Sequence, residues 1–149
     1  MSDPGDSPAR LPTRAEDSWL AVVAGLIFRN GQLLITQRRA GDHLGGLWEF
    51  PGGKLETGET AAEGLLRELR EELGVEVRVG ARLAVVEHRY PERSVRLQFF
   101  RCTLLRGEPQ PIGCAAIAWV TAAELARYEF PAADAQLLAQ LRKSPHLWV

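Results

Sequence analysis

Apolar and polar side chains alternate with different periods along the chain, and the changes of period predict its secondary structure. Residues 20–28 form a continuous apolar run that is typical of a buried strand. Asn30-Gly31 follows as a hairpin turn and leads into a second strand over Gln32–Gln37. The glycine-rich residues 38–46 then predict a loop, which ends before a short extended segment at residues 48–50.

A helical period begins at residue 60. Thr60 and Glu63 have the spacing of a capping box, and Gly74 stands where a left-handed C-terminal cap is expected. Between these signals, apolar residues recur at helical spacing and form one stripe: Ala62, Leu65, Leu66, Leu69 and Leu73. Together these features predict a helix over residues 60–73.

The remaining chain alternates between strand-like and helix-like segments. Runs typical of strands cover residues 76–87, 95–105 and 115–120, and two further helices are predicted at residues 121–127 and 132–142. One helix between strands and another near the end favour an α+β fold. Specifically, they predict an α/β/α sandwich in which a mixed β-sheet lies between helices.

Length and charge limit the class of protein. The chain has 149 residues, which is the length of one domain. Residues 1–17 are rich in Pro, Ser, Asp and Gly and predict a disordered tail, so residues 18–149 are expected to form a single domain. The net charge of −1 gives no overall attraction to a nucleic acid polymer or to an anionic membrane, and neither is expected as a partner.

The cellular location is predicted from features that exclude other compartments. The longest apolar run, residues 19–28, is about half the length that a transmembrane helix needs, and the residues before it do not resemble a secretory signal. Cys102 and Cys114 have neither the number nor the spacing of a disulfide framework or a metal cluster. We therefore expect a cytoplasmic protein that acts as a monomer or homodimer.

Three glutamates share one face of the predicted helix. Glu68, Glu71 and Glu72 stand at positions i, i+3 and i+4, where like charges repel each other. A divalent cation would offset that repulsion, and carboxylate oxygens are the ligands that magnesium and manganese prefer. The Gly52-Gly53 pair before the helix would let a ligand approach the backbone closely. The alternative is a solvated acidic face that neighbouring arginines neutralise.

The segment from Gly53 to Val75 resembles the Nudix box of the Nudix hydrolases. Its defining positions are all filled: Gly53, Glu59, Arg67, Glu68, Leu69, Glu71, Glu72, Gly74 and Val75. The resemblance implies the Nudix fold and a Mg²⁺ ion, with Mn²⁺ as a substitute, held by the Gly53 carbonyl, Glu68, Glu71 and Glu72. It also implies catalytic roles for Glu59, Arg67, Glu71 and Glu72: Arg67 would orient a box carboxylate, and Glu59 would support the loop. The metal would activate water and neutralise charge on phosphate.

Further segments are similar to the MutT-like branch of this family, namely residues 35–39, 46–54, 90–97 and 130–134. Enzymes of that branch cleave nucleoside triphosphates to a monophosphate and pyrophosphate, and some remove 8-oxo-dGTP. On this resemblance, the expected substrate-binding residues are Arg38, His43, Phe50, Tyr90, Arg93 and Asp134.

Two positions depart from the MutT-like pattern. Asp134 stands where the branch has a base-reading asparagine, and an ionised carboxylate only accepts hydrogen bonds, so it suits an exocyclic amino group such as that of cytosine or adenine. A protonated Asp134 would suit guanine if an apolar pocket raised its pKa; alternatively, it is simply an acid at a helix N-terminus. Gly113 stands where many relatives have a metal-binding or basic glutamate, which leaves Glu71 as a candidate base.

The sequence thus predicts a Mg²⁺-dependent Nudix pyrophosphohydrolase that acts on a free nucleoside triphosphate, such as 8-oxo-dGTP or a cytidine-type nucleotide. Two alternatives stay open. Because the box contacts only metal and diphosphate, another nucleotide conjugate, such as ADP-ribose or a nucleotide sugar, is also compatible. Gly113 leaves open a weakly catalytic nucleotide-binding protein of the same fold.

Overall fold

The computed structural model describes residues 19–149. The predicted tail at residues 1–17 and the predicted start of the domain at residue 18 lie outside the described residues, so the domain boundaries stay a prediction. No helix within the described part is long and apolar enough to cross a membrane.

The strands of the described chain form one seven-stranded mixed sheet. They are β1 (Trp19–Arg29), β2 (Gln32–Gln37), β3 (Trp48–Glu49), β4 (Gly52–Lys54), β5 (Glu76–Tyr90), β6 (Arg93–Arg106) and β7 (Ala116–Val120). Strand β1 runs parallel to β6, whereas it is antiparallel to β2 and β4. Asn30 and Gly31 have φ values of 53° and 77°, which a two-residue hairpin turn requires.

Two helices cover opposite faces of this sheet: α1 (Ala61–Leu73) and α2 (Ala135–Arg142). On one face, Leu65, Leu69 and Leu73 of α1 share a core with Val23 and Ile27. On the other face, the α2 residues share a core with β1, β2 and β6; its members include Leu26, Ile35, Phe99, Leu137 and Leu141. Each fully buried leucine stabilises the fold by about 1.5–3 kcal/mol. The predicted α/β/α sandwich is confirmed.

The first turn of α1 differs from the predicted apolar stripe. Leu65, Leu69 and Leu73 are buried as expected, but Ala62 is exposed. Gly64 takes the inner position in this turn, and a Cβ atom there would collide with Leu55. The prediction for Ala62 was wrong because Gly64 takes the inward position instead. Without a side chain, the glycine lets the loop before the helix pack closely against this turn.

Predicted helices near the C-terminus are shorter and tighter than expected. The helix predicted at residues 121–127 is a 3₁₀ helix at Ala123–Arg127, and the one predicted at residues 132–142 begins as a 3₁₀ turn, Ala132–Asp134, before α2. A further 3₁₀ turn covers Pro145–Leu147. Pro131, with φ −59° and ψ 151°, stands in extended backbone directly before the second of these helices.

Both cysteines are free and buried. Cys114 lies in a bend just before β7. Burial raises the pKa of the Cys102 thiol to about 12 and that of Cys114 to about 11. Both side chains therefore stay protonated at neutral pH, as expected for small buried residues rather than nucleophiles.

Candidate active site

Local hydrogen bonds fix both ends of α1. The Thr60 hydroxyl accepts from the Glu63 N–H at 3.1 Å, and the Glu63 carboxylate accepts from the Thr60 N–H at 3.0 Å. At the other end, Gly74 has φ 72° and its N–H donates to the Arg70 carbonyl. The predicted capping box and left-handed cap are confirmed, and they set the rotation at which the helix presents its glutamates.

Glycines let β4 approach two neighbouring groups. A Cβ atom on Gly53 would lie 2.4 Å from the carboxyl carbon of Glu68, and one on Gly52 would lie 2.0 Å from the Val23 carbonyl oxygen. A side chain at Gly52 would collide with this backbone, and one at Gly53 would force the Glu68 carboxylate to move. The two glycines therefore bring the backbone of β4 against β1 on one side and against the Glu68 carboxylate on the other.

Arg67 connects the carboxylates of the box. Its guanidinium donates to both oxygens of Glu59, at 2.6 Å and 3.0 Å, and to Glu68 and Glu71 at 3.1 Å and 3.2 Å. It also donates to the Lys54 carbonyl at 3.1 Å. The Arg67 guanidinium holds the pKa of Glu59 at about 2, so that carboxylate is ionised at neutral pH. Arg67 thus ties the loop before the helix to two of the predicted metal ligands.

Glu72 and Glu68 are the less exposed of the predicted ligands. Glu72 accepts a hydrogen bond from the Gly52 N–H at 3.1 Å, and burial, together with the negative charge of Glu49, raises its pKa to about 8. Burial also raises the pKa of Glu68, while Arg67 opposes that effect. A cation placed beside these groups would favour their ionised forms.

The donor set suits a hard divalent cation. Glu68, Glu71, Glu72 and the Gly53 backbone offer only oxygen ligands, and the missing Cβ of Gly53 leaves space in front of the Glu68 carboxylate. Among residues 19–149, no three Asp, Glu, His or Cys side chains are gathered as a metal site as they stand. In this arrangement Arg67 donates to Glu68 and Glu71, whereas Glu72 accepts from the Gly52 N–H.

One cleft of about 940 Å³ joins the box to the base of α2. Of the predicted site residues, those that line it are Arg38, His43, Phe50, Gly53, Arg67, Glu68, Glu71, Tyr90, Arg93 and Asp134. Glu59 and Glu72 are not in its lining, because Glu59 lies behind Arg67 and Glu72 lies beside Gly52. The structure therefore brings the predicted substrate-binding residues and the predicted metal ligands other than Glu72 to the lining of one cleft.

Asp134 is a buried acid in the lining of the same cleft. Only 5% of its surface is exposed, and although it directly precedes α2, its side chain makes no capping hydrogen bond. Burial, with a smaller contribution from Glu49, raises the pKa of Asp134 to about 7. Recognition of guanine by a protonated Asp134 requires a pKa raised in this way. A simple helix-terminal acid would lack this buried environment.

Glu49 is a cleft residue that the sequence interpretation missed. It lies on β3, and its negative charge raises the pKa of both Asp134 and Glu72. Its own pKa is raised by burial, and Arg38 opposes that effect across a 3.0 Å ion pair. The sequence signal for this residue was a single acid between Trp48 and Phe50 in an otherwise apolar segment. Because alternate side chains of a strand face opposite sides, such an acid faces away from its two aromatic neighbours.

Aromatic rings surround the mouth and floor of the cleft. The His43 ring contacts the Tyr90 ring edge-on with centroids 5.6 Å apart. Phe50 packs against Phe99 and Phe130, with centroid distances of 6.0 Å and 5.3 Å, and is only 4% exposed. Phe50 is thus chiefly a core residue beneath the cleft, whereas His43 and Tyr90 meet at its rim.

Gly113 lies against the last turn of α1. Its N–H donates to the Glu72 carbonyl at 3.0 Å, and a Cβ atom at this position would lie 3.2 Å from the Glu72 Cα atom. Gly113 is therefore beside a box residue. Because Gly113 supplies no carboxylate, Glu71 is still the candidate base.

Known proteins match both the sequence and the fold. The family model described as NUDIX domain matches residues 23–140. A relative from Mycobacterium tuberculosis (strain ATCC 25618 / H37Rv), named putative 8-oxo-dGTP diphosphatase 2, is 41% identical over 130 residues, which is 83% of this chain and 88% of the relative. CTP pyrophosphohydrolase from Escherichia coli (strain K12) is 38% identical over 119 residues, 80% of this chain and 88% of that protein.

A solved structure extends the likeness to three dimensions. The solution structure of the E. coli ORF135 protein has a TM-score of 0.75 and 36% identity, and the match covers 85% of this chain and 90% of that one. The matched family span runs from β1 to α2 and so includes both ends of the cleft. The chain therefore belongs to the NUDIX domain family and is a Nudix hydrolase of the MutT-like type.

Proposed function

We propose that this protein is a Mg²⁺-dependent pyrophosphohydrolase that cleaves a nucleoside triphosphate to its monophosphate and pyrophosphate. The observation that carries the proposal is a cleft whose lining includes both the box carboxylates Glu68 and Glu71 and the buried Asp134. A cleft of this volume accommodates a small-molecule ligand. A nucleotide would place its phosphates at the carboxylates and its base near Asp134.

At the phosphate end, Glu68, Glu71, Glu72 and the Gly53 carbonyl would hold the metal. When bound, the metal neutralises phosphate charge and lowers the pKa of water, and Mn²⁺ would serve in its place. Arg67 and Glu59 orient the ligands from behind through the ion pairs described above. Glu71, whose side chain is 60% exposed, is the residue best placed to accept a proton from the attacking water.

At the base end, Asp134 supports recognition of either of two kinds of base. With a pKa of about 7, its carboxyl both accepts hydrogen bonds when ionised and donates one when protonated. The ionised form suits the exocyclic amino group of cytosine, and the protonated form suits O6 of an oxidised guanine. The names of the two relatives, an 8-oxo-dGTP diphosphatase and a CTP pyrophosphohydrolase, correspond to these two bases.

Turnover with Mg²⁺ on a panel of 8-oxo-dGTP, dGTP, dCTP, 5-methyl-dCTP and ADP-ribose tests the proposal. Monophosphate and pyrophosphate from one of the triphosphates would support it, and the preferred base would identify the state of Asp134 that matters. Cleavage of ADP-ribose alone would favour a nucleotide-conjugate hydrolase. Nucleotide binding without turnover on any member would favour the weakly catalytic binding protein.

The cellular setting is part of the same proposal. We infer a cytoplasmic protein, supported by the two free, buried cysteines of the described chain. The choice between monomer and homodimer, and the expectation that no nucleic acid polymer binds, stay predictions. Gel filtration with light scattering would decide the oligomeric state.

A further inference from the structure

The loop between β2 and β3, residues 38–47, forms one wall of the cleft. His43 and Leu44 at its tip line the cleft directly. At its neck, the Arg38 N–H donates to the Leu47 carbonyl at 2.9 Å, and the Gly46 N–H donates to the Arg38 carbonyl at 3.0 Å. The neck is therefore closed by the backbone, and across the tip the Gly45 N–H donates to the Asp42 carbonyl at 2.9 Å.

The side chain of Arg38 reaches that tip. Its Nε donates to the His43 carbonyl, and its Nη1 donates to the Glu49 carboxylate at 3.0 Å. The two side chains of this pair are 29% and 25% exposed, so water screens the interaction only in part. One guanidinium thus joins the loop tip to β3 through two charge-assisted bonds.

The tip has a conformation that needs such support. Leu44, the residue after His43, has φ 57°, in the left-handed region that leucine rarely adopts. A residue is held there only when surrounding contacts outweigh the backbone strain. The bond from Arg38 to the carbonyl directly before Leu44 is a contact of this kind.

We propose that Arg38 is a positioning residue: it ties the loop tip to Glu49 and so sets the wall that His43 and Leu44 present to the nucleotide. This role differs from direct substrate binding, and its kinetic consequences rest on the proposed function. Arg38 acts through Glu49 and the His43 carbonyl. It also compensates the charge of Glu49, which otherwise faces the carboxyls of Asp134 and Glu72.

Amide hydrogen exchange in the ligand-free protein tests the loop without any substrate. In Arg38→Ala, the amides of Gly45, Gly46 and Leu47 should exchange roughly tenfold faster, because their bonds within the loop open more often. Amides in α1 should not change. Arg39→Ala is the matched control, since this neighbouring arginine donates to the Ile112 carbonyl and does not line the cleft.

Arg38→Gln serves as the second variant if alanine lowers the stability of the whole domain. Wild-type exchange rates in the loop of both Arg38 variants would overturn the proposal. Equal acceleration in Arg39→Ala would overturn it as well, since the effect would then be a general response of the loop. Acceleration that is confined to the Arg38 variants supports it.

Kinetics separate positioning from direct contact with the substrate. Arg38→Ala should raise KM roughly tenfold while kcat changes by less than about threefold, because the wall is disordered but the carboxylates are intact. A double-mutant cycle that combines Arg38→Ala with Glu49→Ala should be non-additive. The double variant should lose no more kcat/KM than the more impaired of the two single variants. If the two losses in kcat/KM multiplied instead, Arg38 would act independently of Glu49, and the proposal would be overturned.

The two experiments also separate this inference from the proposed function. If the wild-type protein turned over no nucleoside triphosphate, the proposed function would fail. The exchange measurement would still decide whether Arg38 orders the loop.

Discussion

The carboxyl groups of the box and the carboxyl of Asp134 differ in the positive charge beside them. At the box, Arg67 lies within 3.2 Å of the carboxylates of Glu59, Glu68 and Glu71. At the other end, Asp134 is buried without a capping bond, and its pKa is raised to about 7. At the first end an arginine opposes protonation of Glu59 and Glu68, whereas Glu72, which accepts from the Gly52 N–H instead, has a pKa raised by burial to about 8. The second end holds a carboxyl whose proton exchanges near neutral pH.

This difference corresponds to the chemistry required at each end. Carboxylates that bind a divalent cation must be ionised, and a neighbouring guanidinium favours that state before the cation arrives. A group that reads a base must match donors and acceptors instead, and a neutral carboxyl is a donor as well as an acceptor. The same residue type thus acquires different properties from its surroundings.

Glu72→Gln should have the largest effect, because it removes the charge of a proposed metal ligand at nearly constant volume. Mg²⁺-dependent turnover should fall by at least about a hundredfold, while the amide can still accept from the Gly52 N–H. Glu63→Gln on the same helix is the control, since glutamine preserves the capping box. Steady-state turnover of the preferred nucleotide measures both, and near-wild-type activity in Glu72→Gln would show that the metal assignment is wrong.

Arg67→Lys tests whether the geometry of the guanidinium matters beyond its charge. Lysine retains the positive charge but cannot donate two parallel bonds to Glu59 while also reaching Glu68. Turnover should fall by roughly ten- to a hundredfold, and a titration with Mg²⁺ should show weaker metal activation. Unchanged Mg²⁺ dependence would mean that Arg67 does not organise the ligands.

The box end was predictable from the sequence because its geometry is local. Gly53 and the glutamates of α1 come from one continuous segment, and a capped helix fixes which side chains share a face. Neither the packing of other elements nor the order of strands is needed to place them. The same locality explains why the Asn30-Gly31 turn and the caps of α1 were predicted correctly.

The base end was less predictable because it is assembled by strand pairing. Glu49 reaches the cleft through the pairing of β3 with β2, in which it lies opposite Thr36. Asp134 arrives from a segment far along the chain, where a 3₁₀ turn replaces the predicted helix start. No local period of the sequence indicates that these two acids line the same cleft. Arg38 and Asp134 were predicted from a family resemblance rather than from their own spacing.

Asp134→Asn tests the protonation of the base end. Above a pKa of about 7, wild-type Asp134 is mainly ionised and should favour dCTP; below it, the protonated form should favour 8-oxo-dGTP. The wild-type preference for the guanine nucleotide should therefore rise as the pH falls from about 8 to about 6, by up to roughly tenfold.

The asparagine variant should lack that dependence, since an amide both donates and accepts at every pH in this range. Ratios of kcat/KM for the two nucleotides at each pH provide the measurement. If the ratio and its pH dependence were the same in both proteins, Asp134 would not read the base, and the comparison between the two ends would lose its functional meaning.

Arg70→Ala should have the smallest effect and defines how far the box network extends. Arg70 lies one helical turn from Arg67, and its guanidinium donates to Glu76 at 2.6 Å. The two side chains are 55% and 38% exposed, however, so water screens the pair. Turnover should stay within about twofold of wild type, and the melting temperature within about 2 °C.

Arg67 is only 22% exposed and contacts predicted ligands. A loss in Arg70→Ala as large as that in Arg67→Lys would therefore mean that general positive charge on α1, rather than the contacts of one arginine, supports the carboxylates.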